Sequence, residues 1–267
     1  MFPTLFRIGP IEIHTWGTLL MFGFLAGILV ARRESRRLGI PPDVALDLGL
    51  WVLVSGVLFA RAVFVALNWS DFAARPADAL YIWREGGLSF HGGLGGGIIA
   101  GAIFSKWRRI PFWSLADLTA PGLALGYAIA RIGCFLNGCC YGAPTALPWG
   151  VRFPLYPDSQ ITTEPSHPTQ LYATLGSLAI FAVLLLVRNR LSARGQLFLL
   201  YLALYAIMRS GLEVLRKGYS ARILVDGITQ GQFVSALIFV IAVVGMVVAH
   251  RRRGAGDSAE PASGNRA

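Results

Sequence analysis

A chain of 267 residues that is 55% hydrophobic and only 14% charged, with a mean hydropathy of +0.58, falls outside the range of soluble domains, where about a quarter of residues are charged. Its net charge of +10 would suggest a nucleic-acid partner in a soluble protein. Here the basic residues are gathered into short clusters between apolar runs, which sets nucleic acid aside and predicts an all-α, polytopic membrane protein.

The first apolar run, 13–31, has about the 18 to 25 residues needed to cross a hydrocarbon core of roughly 30 Å. No basic n-region and small-residue cleavage site accompany it, so it reads as a retained span, not a removable signal peptide. The run 44–67 reaches spanning length once Asp47 and Arg61 are admitted. Between 68 and 90, Trp69, Phe72, Tyr81 and Trp83 alternate with Asp71, Arg75, Asp78, Arg84 and Glu85, a mix suited to the headgroup layer. The third span, 88–105, opens with LSFHGGLGGG. Glycines this dense lower helix propensity but let helix backbones approach closely in lipid. His91 at its start is placed to act as a base or to cap the helix.

The fourth span, 115–137, contains Asp117 and Arg131 and ends in ARIGCFLNGCCYG, which holds all three cysteines. The 138–167 loop carries Pro144, Pro148, Pro154, Pro157 and Pro165, so turns and not helix should order it. Spans at 168–187, 195–217 and 229–249 complete a bundle of seven within residues 1–250. The tail 251–267, rich in Gly, Ala and Ser, is expected to be disordered. No internal repeat is evident, which disfavours transporter folds built from inverted halves.

The clusters 32–37, 106–109, 188–194 and 250–253 follow spans 1, 3, 5 and 7 and so share one side, the cytoplasmic side by the positive-inside rule. The N-terminus and the 68–90, 138–167 and 218–228 segments then face outward.

Arg61, Arg131, Arg209 and Glu213 lie within spans or near their ends, where a charge costs several kcal/mol unless it is paired or lines a site. Arg209, Glu213 and Arg216 share a helix face at i, i+4, i+7. Two readings stand: an internal ion pair that orients span 6, or an anion site, since guanidinium suits bidentate phosphate binding. The outward bias of the arginines favours the phosphate of an outer-leaflet headgroup, whereas a transporter or channel predicts charges spread through the membrane depth. The three thiols are open to packing, to a Cys134–Cys139 or Cys134–Cys140 disulfide, or to metal; without a nearby histidine they make a poor zinc set.

GGLSFHGGLGGG (86–97), ARIGCFLNGCCYGAPT (130–145), HPTQLYAT (167–174) and YAIMRSGLEVLR (205–216) stand in one order and spacing that resembles the prolipoprotein diacylglyceryl transferase family of the bacterial inner membrane. IGPIEIHTWG (8–17) and TQGQFVS (229–235) extend the resemblance over almost the whole chain. It implies transfer of an sn-1,2-diacylglyceryl group from phosphatidylglycerol to the lipobox cysteine of a preprolipoprotein, with glycerol phosphate released and no metal or organic cofactor. It marks His91, Arg131 and Arg209 as catalytic. Arg131, Arg209, Glu213, Asn137 and Gly142 become headgroup contacts, with Arg61, His167, Gln170 and Tyr172 as further binding residues. Membrane lipids surround the site, the N-terminus is periplasmic and the C-terminus cytoplasmic. Relatives close to the enterobacterial form have asparagine at Cys134, glutamate at Cys139, tyrosine at Trp16 and glutamate at Ala173. These departures leave open a transferase-like relative with an altered lipid substrate.

Overall fold

The computed structural model describes residues 1–9, 11–80, 87–155, 161–191, 193–216, 223–225 and 227–257. An antiparallel hairpin, β1 (Thr4–Ile8) and β2 (Ile11–His14), leads into α1 (Thr15–Arg37). Then come α2 (Asp43–Leu67), the short α3 (Trp69–Phe72), a 3-10 turn (Pro76–Leu80), α4 (Phe90–Arg108) and α5 (Phe112–Asn137). After a long loop follow α6 (Thr169–Val187), α7 (Gln196–Val214), the antiparallel pair β3 (Ile223–Val225) and β4 (Ile228–Thr229), and α8 (Gln230–Asp257).

The all-α class holds, but the span count differs. Six helices among the described residues are long and apolar enough to cross a membrane: α1, α2, α5, α6, α7 and α8. The third of the seven expected spans forms a 19-residue helix, α4, yet falls short of that mark. Its six glycines contribute almost no apolar surface, and its last turn holds Lys106 and Arg108. The chain is a multi-pass helical membrane protein, and its surface agrees: Leu29, Val54, Leu186 and Val244 are each more than half exposed, an apolar exterior that water would penalise and lipid accepts. α8 continues to Asp257, seven residues into the expected tail, because arginine and alanine propagate a helix already nucleated. Residues 258–267 lie outside the described residues, as do Tyr81, Trp83, Arg84 and Glu85 of the expected headgroup segment.

Two compact units divide the chain, Ala31–Leu118 and the combination of Met1–Val30 with Thr119–Ala267. Within the first, α2 and α4 pack through glycine. A Cβ on Gly92 would meet the Phe59 carbonyl oxygen at 2.7 Å, and one on Gly96 the Phe59 Cβ at 2.4 Å, so only hydrogen fits at either position. Trp51 Nε1 donates to the Ala100 carbonyl (3.0 Å) across the same contact, and Arg108 ion-pairs with Asp47. A small core of Ala31, Val44, Leu48, Phe104 and Leu118 closes this unit.

In the second unit α1 crosses α5 glycine on glycine. A Cβ on Gly23 would lie 2.7 Å from the Gly126 carbonyl oxygen, and one on Gly122 would lie 2.6 Å from that of Gly27. On α6, the Ser177 hydroxyl donates to Ala124 O (2.8 Å) and that of Thr174 to Ala128 O (3.2 Å), stitching α6 to α5 with the side-chain-to-backbone bonds that membrane helices favour. Ala120, Ala124, Ile180, Leu184, Leu197 and Tyr201 form the apolar core below. Among the described residues the 138–167 loop contains no helix and is ordered by isolated bridges, Pro144 to Ser166, Val151 to Ser166 and Pro154 to Thr162, as its prolines predict.

Candidate active site

Helical spacing brings the first charged groups into place. Arg131 follows Tyr127 by one turn on α5, and its guanidinium carbon lies 4.7 Å from the centre of the Tyr127 ring. The Tyr127 ring meets Tyr205 of α7 edge-on, with centroids 5.4 Å apart. One turn past Tyr205 stands Arg209, whose guanidinium ion-pairs with the carboxylate of Glu213, a further turn along. The tyrosine pair therefore docks α5 against α7 at the level where both present arginine.

Of these side chains, Tyr127, Arg131 and Arg209 line a narrow cleft. Arg131, Arg209 and Arg216 supply three guanidiniums, Cys140 a thiol, and Tyr127, Thr169, Ala173 and Leu212 the rest of the wall; among the described residues no carboxylate lines it. Glu213 is buried at 3% exposure, and α8 holds it there: a Cβ on Gly231 would come within 2.5 Å of its Oε1. Ala173, where the resemblance leads one to expect glutamate, lines this cleft and adds no charge to it.

The loop after α5 is fastened to the start of α6. Gly142 N–H donates to His167 O (2.9 Å), His167 N–H to Ala143 O (3.0 Å) and Ala143 N–H to Leu215 O (2.8 Å). Gly142 has no room for a side chain, since its Cβ would meet Leu215 O and Thr169 Cγ2 at 2.8 Å each. Gln170 Nε2 donates to Cys139 O (2.6 Å), while its buried Oε1 meets no donor among the described residues. Trp149 Nε1 donates to Tyr172 Oη (2.8 Å), and the same hydroxyl pairs with His167 Nδ1 (3.4 Å). Asn137 is the last residue of α5.

The Cys134, Cys139 and Cys140 sulfurs lie within 4.8 Å of one another, and all three cysteines are free. The Cys140 thiol is held below the usual thiol value: hydrogen bonds from Cys134 and Cys139 favour its thiolate, Arg131 and Arg216 add to the shift, and burial opposes it.

Two of the expected site residues belong to the other unit. His91 lies in the first turn of α4, capped by the Ser89 hydroxyl on Gly92 N–H (3.3 Å), with its ring edge-on to Phe90. Arg61 is buried and gives its donors to the carbonyls of Ala79 (2.7 Å), Asp78 (3.0 Å) and Gly87 (3.1 Å), with Phe64 and Phe72 stacked about it. Arg61 thus clasps the segment after α3. Conversely, Tyr127 and Thr169 line the cleft without having been singled out as site residues, and Arg216, noted for sharing the Arg209 face, lines it with them. The available signal was spacing, Tyr127 one turn before Arg131 and Arg216 two turns after Arg209.

The family profile described as prolipoprotein diacylglyceryl transferase matches residues 3–248. Relatives named phosphatidylglycerol–prolipoprotein diacylglyceryl transferase include one from Nostoc sp., 39% identical over 80% of this chain and 78% of its own. Another from Synechococcus elongatus is 36% identical over 92% and 86%, and one from Bacillus velezensis is 35% identical over 96% and 94%. A family match over residues 3–248, with relatives 35–39% identical across most of the chain, establishes that the chain belongs to the prolipoprotein diacylglyceryl transferase family.

Proposed function

We propose that this protein transfers the sn-1,2-diacylglyceryl group of phosphatidylglycerol to the cysteine thiol of a preprolipoprotein lipobox. The observation that carries the reading is a cleft with three guanidiniums and, among the described residues, no carboxylate in its lining, in a chain of this family. The sulfur attacks the glyceryl carbon that bears the phosphate ester; a C–S bond forms as the C–O bond breaks, and glycerol phosphate departs with the electron pair. Two tasks follow. The thiol proton needs an acceptor, because thiolate is the nucleophile, and His91 takes that part on the strength of its motif. The departing phosphate gains charge, and Arg131, Arg209 and Arg216 are grouped to stabilise it.

Glu213 keeps the Arg209 fork oriented, and Gly142 and Gln170 hold the loop that borders the cleft. Asn137, His167 and Tyr172 shape the same border and serve substrate binding. The enzyme resides in the bacterial cytoplasmic membrane, with α4 as a seventh crossing, the N-terminus periplasmic and the C-terminus cytoplasmic. That arrangement places all four basic clusters on the cytoplasmic side. The test is rescue of a strain depleted of its own diacylglyceryl transferase, together with transfer from phosphatidylglycerol to a lipobox peptide by purified protein. Failure of both, with the protein present in the membrane, refutes the reading.

A further inference from the structure

α5 ends in a defined pattern. Gly138, left-handed at φ 77°, donates its N–H to Phe135 O, and Cys139 N–H donates to Cys134 O, each at 3.1 Å. This is the Schellman arrangement, which brings the residue three before the cap and the residue two beyond it into side-chain contact. In most helices that contact is apolar; here both residues are cysteine. Cys140, also left-handed at φ 66°, turns a third thiol to the same point, so that the three sulfurs lie within 4.8 Å of one another. The backbone under them is anchored by α6, with Gln170 Nε2 on Cys139 O (2.6 Å) and the Thr169 hydroxyl on Cys140 O (2.9 Å).

An ion bound to three sulfurs at about 2.3 Å needs them about 4.0 Å apart, a spacing that small side-chain rotations reach from here. Helix termination therefore gathers three soft ligands on a fixed backbone. Cys140 also lines the cleft that holds Arg131, Arg209 and Arg216, so cationic groups stand ready to balance an anionic metal–thiolate centre.

We propose that Cys134, Cys139 and Cys140 form a binding site for a thiophilic d10 metal ion, Cu(I) or Zn(II). All three sulfurs bind as thiolates, each S–H still protonated giving its proton to water as its metal–sulfur bond forms, and no electron is transferred. Cu(I) yields a trigonal centre of net charge −2; Zn(II), which prefers four ligands, yields one of −1 with a water completing the tetrahedron. Because Cys140 is part of the cleft wall, a bound ion brings negative charge to the guanidiniums that would hold phosphate, and metal loading slows transfer. This last consequence rests on the transferase reading; the binding does not.

The full chain, purified in detergent and kept reduced and anaerobic, is titrated with Cu(I) against bicinchoninate and separately with Zn(II) against a chromogenic chelator. The expected result is one ion per chain, for at least one of the two metals, and the metal that meets this standard identifies the source. Cys140→Ala should weaken binding by more than the roughly 10- to 100-fold that loss of an outer-shell partner costs, with an unchanged melting temperature. The triple Cys→Ser variant should bind no ion. Neither metal binding at one per chain, or Cys140→Ala binding as tightly as the parent, overturns the site. In a transfer assay the loaded parent should be slower than the metal-free parent. Stoichiometric binding without slowing overturns the coupling alone, whereas a metal-free parent inactive in transfer refutes the transferase reading and leaves the site standing.

Discussion

The Arg209 guanidinium and the Glu213 carboxylate, one turn apart on α7, divide a single ion pair between two environments. The acid is buried against Gly231 of α8, while the arginine still faces the cleft. A carboxylate that only neutralised its partner would leave nothing to bind an anion. Here it fixes the direction of the fork, and Arg131 and Arg216 keep the cleft cationic.

Arg209→Ala should lose transfer almost completely, since an oriented charge on a developing anion is worth about 3 to 4 kcal/mol. Arg209→Lys keeps the charge but loses the planar fork, and should be strongly impaired. Transfer from phosphatidylglycerol to a lipobox peptide, with variant levels matched by immunoblot, measures both. An alanine variant near the parental rate would leave span 6 with a structural ion pair only.

Gly231→Ala tests how Glu213 is held. The added Cβ would fall 2.5 Å from Oε1, so the carboxylate must move and the Arg209 fork with it. Transfer should drop by roughly 10- to 100-fold, as a displacement near 1 Å at a reacting centre does. The same substitution in a Glu213→Gln background should add little. Equal losses in both backgrounds would mean that Gly231 acts through packing alone.

The α1–α5 crossing should be the most sensitive packing site in its unit. Gly23→Leu drives a side chain into the Gly126 carbonyl and should destabilise by about 1–3 kcal/mol or more. Gly17→Ala on the same helix meets nothing within 4 Å and should be neutral or slightly stabilising. Thermal unfolding in detergent reads both, and indistinguishable melting temperatures would contradict the close approach.

Topology turns on α4. With α4 crossing, alkaline phosphatase fused after residue 253 should be inactive and a fusion within the 138–167 loop active. Were α4 to remain on one side, every later segment would change sides and the two fusions would exchange behaviour.

Six crossing helices, the turn-built loop and the charges set within spans were legible from the sequence. Each follows from a local property: runs of apolar residues match the bilayer thickness, prolines withhold helix hydrogen bonds, and a charge in an apolar run is visible wherever it falls. The same local measure gives less at α4, where an uncharged run rich in glycine forms a helix with fewer apolar side chains than the other six.

Which charges share a site was decided only by tertiary structure. Hydropathy leaves the rotation of each helix about its axis undetermined, and that rotation turns Arg131, Arg209 and Arg216 to one cleft through the Tyr127–Tyr205 contact. It also turns Arg61, equally conspicuous in the sequence, to the carbonyls of Ala79, Asp78 and Gly87. The gathering of the three thiols depends likewise on a left-handed Gly138 and on two hydrogen bonds from α6, because adjacency along a chain does not set the direction in which side chains point.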